Sequence, residues 1–338
     1  MNLKQLPYFI AIAETGSLSA AARRTGVSQP AVSGYLHDLE RELGIALFLR
    51  SGRRMTPTAA GNIYLEMARE VLGLQARTRT QIQARHNPLK QRIRVGVSPH
   101  RGAQALAAIY RPFNLRFPDT EILPMESYVG QAYQMLTHSE MDLAFSTAAE
   151  PLPQNNLHFL PLQKEELVLV LPTFHPLAAQ ASPDAAEAPS IDLAQFRDTP
   201  FVLMTPDSTV GQVSRQLFSQ AGFSPVVVFQ SKNVIMTNEM IRSGAGAGLI
   251  PAYYAKPDEN VVYFRLSQPG YLTFCAVWAE GRALTEAERY LLYLKVNLWD
   301  RKNPGLLTSN LMPEEMRLIQ QEFAASGPLA AAEEAAML

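Results

Sequence analysis

Residues 17–44, SLSAAARRTGVSQPAVSGYLHDLERELG, constrain the chain more than any other stretch, because two short helical patterns stand on either side of the three-residue break GVS. Ahead of them Leu3, Leu6, Phe9, Ile10 and Ala13 recur at helical spacing, which predicts a first amphipathic helix over residues 3–14. Gly16 and Ser17 stop and restart the chain. Leu18, Ala21 and Ala22 form the apolar face of the second helix, and its alanines permit close approach by a crossing helix. Gly26 supplies the turn. Ser28 is placed to cap the third helix, Pro30 fits its first turn, and Val32, Leu36, Leu39 and Leu43 form its buried stripe. The opposite stripe is Gln29, Ser33, His37 and Arg41, flanked by Pro30 and Gly34. Such a short polar face suits a helix entering the major groove of double-stranded DNA end-on, with Gln and Ser at base edges and the helix N-terminus near phosphate. The bland reading is a solvated surface helix. It loses ground because LFLRSGRRMTPT follows at once, a pattern for a winged hairpin whose Arg50, Arg53 and Arg54 reach phosphates or a narrow minor groove.

The charge distribution agrees. The net charge of −1 conceals a basic head: residues 1–92 hold 13 lysines and arginines against 6 acids, and the remainder holds 17 against 25. Only a module that meets phosphate needs to be positive. The 338 residues are too many for one ordinary core and predict two or three domains. A single cysteine, Cys275, rules out an internal disulfide and reads as a buried, inert thiol. No secretory leader and no run of about 18 apolar residues is evident, so the expectation is a cytoplasmic protein without a membrane partner.

After Thr58, a helix cap by type, Ala59, Ile63, Met67, Val71, Leu74 and Ile82 mark an apolar stripe too long for the head to bury, predicting a linker and dimerisation rod over 59–88. From residue 93 strands and helices alternate, which predicts a parallel sheet with covered faces. Helices are expected at 103–117, 210–221, 233–243 and 286–299, the first kinked or cut short at Pro112, and AAQASPDAAEAPS (178–190) reads as a mobile surface loop. The pattern divides into one lobe from 93–161 plus 269–300 and a second from 162–268. Ligands in open α/β sheets sit beyond the carboxyl ends of strands. Those ends carry Ser98, Ser127, Thr147, Thr205 and Thr209, with Ser98 and Thr209 just ahead of helices and Arg101 able to add a full charge; each hydroxyl taken alone is as well explained as a helix cap.

Residues 9–61 closely resemble the winged helix-turn-helix of LysR-type transcriptional regulators, in SLSAAA, VSQPAVS, LERELG and LF, which keep the family's order and spacing. DLAFST, LPTFHPLA, AGFSP and SGAGAGLIP are similar to the effector-binding domain of the same family, so the resemblance covers residues 1–300. It implies a winged helix-turn-helix (1–58), a linker helix, and a two-lobed α/β domain of the periplasmic-binding-protein-like type. Gln29, Pro30 and Ser33 would contact bases or adjacent phosphates, with Arg53 in the wing; Ser98, His100, Arg101, Thr147 and Thr209 would contact a small anionic or polar effector. Gly34 departs from the family, which usually places a longer polar residue there. His175 and Asp142 correspond to structural positions. The implied assembly is a homodimer or a homotetramer of two dimers that occupies two DNA sites and bends DNA differently when ligand binds, with RNA polymerase as a further partner.

An enzymatic reading finds little footing. The sequence holds no Gly-x-Ser-x-Gly elbow, no His-Glu-x-x-His pair, no Cys/His metal cluster and no phosphate loop, and the glycines of SGAGAG follow a helix instead of opening one. No catalytic residue, metal or cofactor is expected. The alternatives are a constitutive DNA-binding regulator with a vestigial cleft, and a solute-binding or enzymatic two-lobed protein. Residues 303–338 lie beyond the resemblance; Leu311, Met312, Met316, Ile319 and Phe323 predict a helix at about 312–325 docked on the regulatory domain or a neighbouring subunit, followed by a mobile tail.

Overall fold

A computed structural model describes residues 3–51, 54–86, 91–153, 156–300 and 308–324. They form two compact units, the first comprising the residues through the long helix after the wing together with Thr137–Glu140, and the second the described residues from 91 onward apart from those four. Arg53 and Gly52, residues 301–307 and the tail from 325 lie outside the described residues, as do the side chains beyond Thr78 in the rod, Ile82 among them.

In the first unit, α1 (Leu6–Thr15), α2 (Leu18–Thr25) and α3 (Gln29–Leu43) lead into a hairpin of β1 (Phe48–Ser51) and β2 (Arg54–Pro57), then α4 (Ala59–His86). The apolar stripes meet in one core of Phe9, Ile12, Ala21, Val32, Leu36, Leu47 and Met55. Gly26 takes φ +71°, the left-handed conformation that the tight turn between α2 and α3 requires. Gly61 has a different reason to be glycine: a Cβ there would stand 2.0 Å from the Leu47 carbonyl oxygen, so α4 lies against the wing only because the side chain is absent. Thr58 Oγ1 accepts from the Gly61 N–H (2.9 Å) and caps α4. Leu43 is the exception in its stripe. It ends α3 47% exposed, beyond the reach of the small core. On the stripe of α4, Ile63 and Leu74 are exposed and Met67 and Val71 half-buried.

The second unit runs β3 (Gln91–Val97), α5 (Arg101–Arg116), β4 (Thr120–Glu126), α6 (Val129–Thr137), β5 (Leu143–Ala149), β6 (Leu157–Pro172), β7 (Ser190–Ile191), β8 (Pro200–Met204), α7 (Thr209–Gln220), β9 (Val226–Ser231), α8 (Val234–Arg242), β10 (Gly248–Pro251), β11 (Val261–Leu266), β12 (Tyr271–Ala279), α9 (Glu286–Leu294), β13 (Thr308–Asn310) and α10 (Glu314–Ala324). The sheet is mixed where the sequence predicted parallel. β3 pairs in parallel with β4 and β5, but β12 returns antiparallel to both β5 and β6. The sixteen-residue β6 serves both lobes, so the boundary expected at 161/162 falls inside a continuous strand. Two main cores flank it, one around Ile109, Phe113, Phe274 and Tyr290, the other around Leu169, Phe201, Leu217 and Phe264.

Three further expectations change. Pro112 neither breaks nor shortens α5, because Ile109 and Phe113 on either side of it are fully buried and hold the turn against the core. The segment 178–190 is packed, not a free loop: its small Ala178, Ala185 and Ala188 are buried, and Ser182 bridges to Tyr263 of β11. The helix expected at 286–299 ends at Leu294 and continues as a π-helical turn, Lys295–Asp300, closed by a buried ion pair between those two residues (2.7 Å). The helix expected near 312–325 is α10, whose Met316, Ile319 and Phe323 are buried against Tyr290 and Tyr293 of α9.

Candidate functional site

On the first unit, α3 presents Ser28, Gln29, Pro30 and His37 exposed and Ser33 half-buried, while Val32, Leu36 and Leu39 hold the opposite face in the core. Ser28 occupies the N-cap position without a side-chain capping bond. Its hydroxyl, at the positive end of α3, is thus available to a phosphate. Arg50 and Arg54 are exposed on the two wing strands, where Ser51 pairs with Arg54. Neither makes an ion pair among the described residues, whereas Arg24 and Arg69 both pair with Glu14 (2.6 and 3.0 Å) and Arg41 with Asp38 (2.7 Å). The wing arginines, with the exposed Arg23 of α2, are thereby left as unpaired positive charges of the described head. One organising residue escaped the sequence reading. Glu40 Oε1 accepts from the N–H groups of Leu47 (2.7 Å) and Phe48 (3.1 Å), fixing the start of the wing to α3. Its only signal was an acid on the half-buried flank of α3 with a strand beginning a few residues later.

Within the second unit a cavity of about 260 Å³ opens where β3, β5 and β8 end against the N-termini of α5, α6 and α7. All seven predicted effector residues line it: Ser98, His100, Arg101, Ser127, Thr147, Thr205 and Thr209. They fall into three groups. Ser98 Oγ accepts from the Gly102 N–H (2.9 Å) and serves as a cap for α5. Thr147 and Thr209 bond to one another, the Thr147 hydroxyl donating to Thr209 Oγ1 (3.1 Å), which donates to the Thr147 carbonyl (3.0 Å) and ties β5 to α7. Thr209 is itself the first residue of its helix, and Ser208 makes the cap. His100 Nδ1, Ser127 Oγ and Thr205 Oγ1 are buried with no well-formed hydrogen bond. Buried polar atoms without partners are costly, and three of them around one cavity are what a bound polar molecule would satisfy.

Arg101 lines the cavity but also has internal partners. Its guanidinium is 5% exposed and committed to Glu165 Oε2 (2.6 Å) and Gln163 Oε1 (3.0 Å), between the rings of Tyr253 and Phe274. A cation buried this deeply needs an internal acid, which Glu165 supplies, while its Nε is left without a partner. The other cation of the lining, Lys232, pairs with Asp207 (2.5 Å) and holds that carboxyl down at about 2. Burial pushes the Tyr254 hydroxyl up to about 12, which keeps it protonated against the His100 ring. Val97, Phe145, Met204, Leu272 and Phe274 complete a largely apolar wall. The arrangement suits a compact, mainly apolar molecule with a few neutral hydrogen-bonding groups. Among the described residues no cluster of three or more His, Cys, Asp or Glu could hold a metal ion.

The family profile for the bacterial regulatory helix-turn-helix protein, lysR family, matches residues 3–62, and that for the LysR substrate binding domain matches residues 86–294. The chain belongs to the LysR family. This LysR-type regulator is 29% identical over 266 residues to the Hca operon transcriptional activator HcaR of Escherichia coli K12, covering 78% of this chain and 86% of that one. It is likewise 29% identical to the transcriptional regulator AlsR of Bacillus subtilis over 272 residues, 79% and 86% of the two chains. A full-length OxyR variant from Pseudomonas aeruginosa shares the fold at 21% identity, with a TM-score of 0.57 over 88% of this chain and 98% of that one.

The remaining conspicuous residues of this LysR regulator are structural. Asp142 accepts from the Arg94 backbone N–H (2.8 Å) and from its guanidinium (2.8 and 3.0 Å). His175 Nδ1 accepts from the Leu177 N–H (3.2 Å), leaving Nε2 to donate to Thr199 (3.1 Å), and burial lowers its pKa below 6.5. Cys275 is buried in β12, its thiol pushed up to about 12 by that burial. No helix among the described residues is long and apolar enough to cross a membrane.

Proposed function

We propose that this LysR regulator is a cytoplasmic, non-enzymatic switch in which a small neutral or polar effector, held in the cavity of the second unit, changes how an oligomer grips DNA. The observation that carries the effector half is the convergence on one apolar cavity of His100 Nδ1, Ser127 Oγ and Thr205 Oγ1, none in a well-formed hydrogen bond, though Thr205 also acts on the Asp207 carboxylate. A vestigial cleft has no reason to keep buried polar atoms unsatisfied, which is why the constitutive alternative is set aside. Ser98, Thr147 and Thr209 shape the wall, and Arg101 acts behind it. For the DNA half, Gln29, Pro30 and Ser33 meet bases or neighbouring phosphates, Ser28 and His37 flank them, and Arg50, Arg53 and Arg54 neutralise backbone charge. The exposed Ile63 and Leu74 on α4 support a rod that pairs with a second copy, as a dimer or a tetramer of two dimers.

A thermal-shift screen of small metabolites on the full-length protein, followed by fluorescence anisotropy with operator DNA, tests this reading. Hits should lose their shift in Ser127→Val and should alter DNA affinity or bending. A hit that stabilises Ser127→Val and Thr205→Val as well as the parent protein places the effector elsewhere.

A further inference from the structure

The matched family domain ends at residue 294, yet residues 308–324 are built into it. β13 lies antiparallel along β6, with Thr308 opposite Glu165, Ser309 opposite Lys164 and Asn310 opposite Gln163, and the Leu311 N–H donates to the Leu162 carbonyl at 2.7 Å. β12 already occupies the other side of these β6 residues. The short strand therefore closes the remaining edge at the point where β6 carries two almost fully buried polar side chains, Gln163 and Glu165. Both are bonded to Arg101.

Hydrogen-bond polarity gives this contact a direction. A guanidinium can only donate, so Gln163 must turn Oε1 toward Arg101 (3.0 Å) and its Nε2 outward. The group that Nε2 meets is Asn310 Oδ1, at 2.9 Å. At the inner end, Arg101 donates to Glu165 Oε2, and Glu165 Oε1 accepts from the Tyr253 N–H (2.7 Å), one residue from Tyr254 in the cavity wall. We propose that Asn310, contributed from outside the family domain, is a positioning residue of the effector site: as the acceptor at the outer end of this relay, it holds Gln163 in the orientation that keeps Arg101 turned to Glu165. The proposal rests on the reading of the cavity as the effector site. The relay joins the C-terminal segment to that wall through four side chains, each link pairing a donor with an acceptor: Gln163 Nε2 to Asn310, Arg101 to Gln163 and Arg101 to Glu165.

Two substitutions in the full-length chain separate positioning from mere coverage. Asn310→Asp retains an acceptor for Gln163 Nε2. Asn310→Lys offers only donors and drives the Gln163 amide to flip, setting Nε2 against Arg101. Neither change touches the backbone pairing of β13. Hydrogen exchange followed by mass spectrometry, without any ligand, reads the Tyr253 amide and the first turn of α5. Asn310→Lys should speed exchange there about tenfold, the equivalent of one lost hydrogen bond, while Asn310→Asp stays within about twofold of the parent protein. Equal rates in the two variants, whether both are unchanged or both faster, would overturn the proposal and leave β13 as a covering strand alone. Because no effector enters this measurement, that outcome is distinct from failure of the cavity reading, which the Ser127→Val screen decides.

Discussion

The sharpest consequence of the structure concerns Arg101 and Glu165, a pair that the sequence does not announce. If Arg101 were an exposed anion ligand, replacing it would cost the fold little. Buried beside Glu165 at 2.6 Å, with Gln163 and the rings of Tyr253 and Phe274 around it, it should behave as half of a desolvated ion pair. Arg101→Met keeps most of the packing but leaves a carboxylate buried with the Tyr253 N–H as its remaining donor. Glu165→Gln keeps an acceptor for Tyr253 but strands the guanidinium. Breaking a buried pair from one side costs about 3–5 kcal/mol, whereas replacing both partners is often close to neutral. Each single variant should thus lower the melting temperature of the second unit by roughly 6–20 °C, at about 2–4 °C per kcal/mol for a domain of this size. The double variant should recover at least half of that loss. Trp278 and Trp299, the two tryptophans of the chain, both lie in this unit, so fluorescence during urea unfolding follows it without interference from the DNA-binding head. Single variants losing less than about 1 kcal/mol, or a double variant losing the sum of the two, would refute the buried-pair account.

Gly34 lies on the exposed side of α3 with nothing within 4 Å of an added Cβ. Gly34→Arg should stabilise the head by up to about 1 kcal/mol in urea unfolding and tighten DNA binding in anisotropy titrations, with a steeper salt slope. In the cavity, Ser127→Val should weaken an identified effector by about 1–3 kcal/mol by calorimetry while basal DNA binding survives. Charged replacements at Ile63 and Leu74 should dissociate the oligomer in sedimentation runs, since each would place an unpaired charge in a helix seam; an unchanged mass removes α4 from the interface. His175 is held neutral in the fold, its pKa below 6.5, so the unfolded chain binds the extra proton first and stability falls as pH drops from about 6.5 through the folded value. His175→Gln should flatten that part of the pH–stability curve, and an unaltered curve would show that another group sets it.

What was legible in the sequence was local. The helix-turn-helix could be read because Val32, Leu36 and Leu39 face one core across a single turn at Gly26, and the cavity hydroxyls because strand ends are where an α/β sheet offers sites. Arg101 was placed at the cavity, but its internal ion pair was not foreseen. Its partner Glu165 is 64 residues away, on a strand whose buried charges interrupt no apolar pattern strongly enough to announce a pair. The alanine-rich 178–190 misled for a related reason: small side chains carry little periodic signal, yet Ala185 is 1% exposed because smallness is what lets it sit against Val168 and Val170. The early break expected at Pro112 is absent because packing outweighs a missing backbone bond. A proline costs a helix about 3 kcal/mol, and burying Ile109 and Phe113 returns roughly as much.

The C-terminal segment shows the same division within a few residues. α10 was readable because Met316, Ile319 and Phe323 repeat at helical spacing and need a surface to cover them; the surface is α9, where Arg289 also grips Glu322 through two bonds of 2.7 and 2.8 Å. β13, Thr308-Ser309-Asn310, has no apolar alternation and could not be read. Its reason for existing lies wholly in β6. Gln163, Lys164 and Glu165 stand on an edge that would otherwise admit water to a buried ion pair and leave three residues of backbone unpaired. A strand recruited to satisfy another strand's backbone needs no pattern of its own. It needs only enough attachment nearby to stay, and α10 supplies that by burying three large side chains a few residues further along the chain.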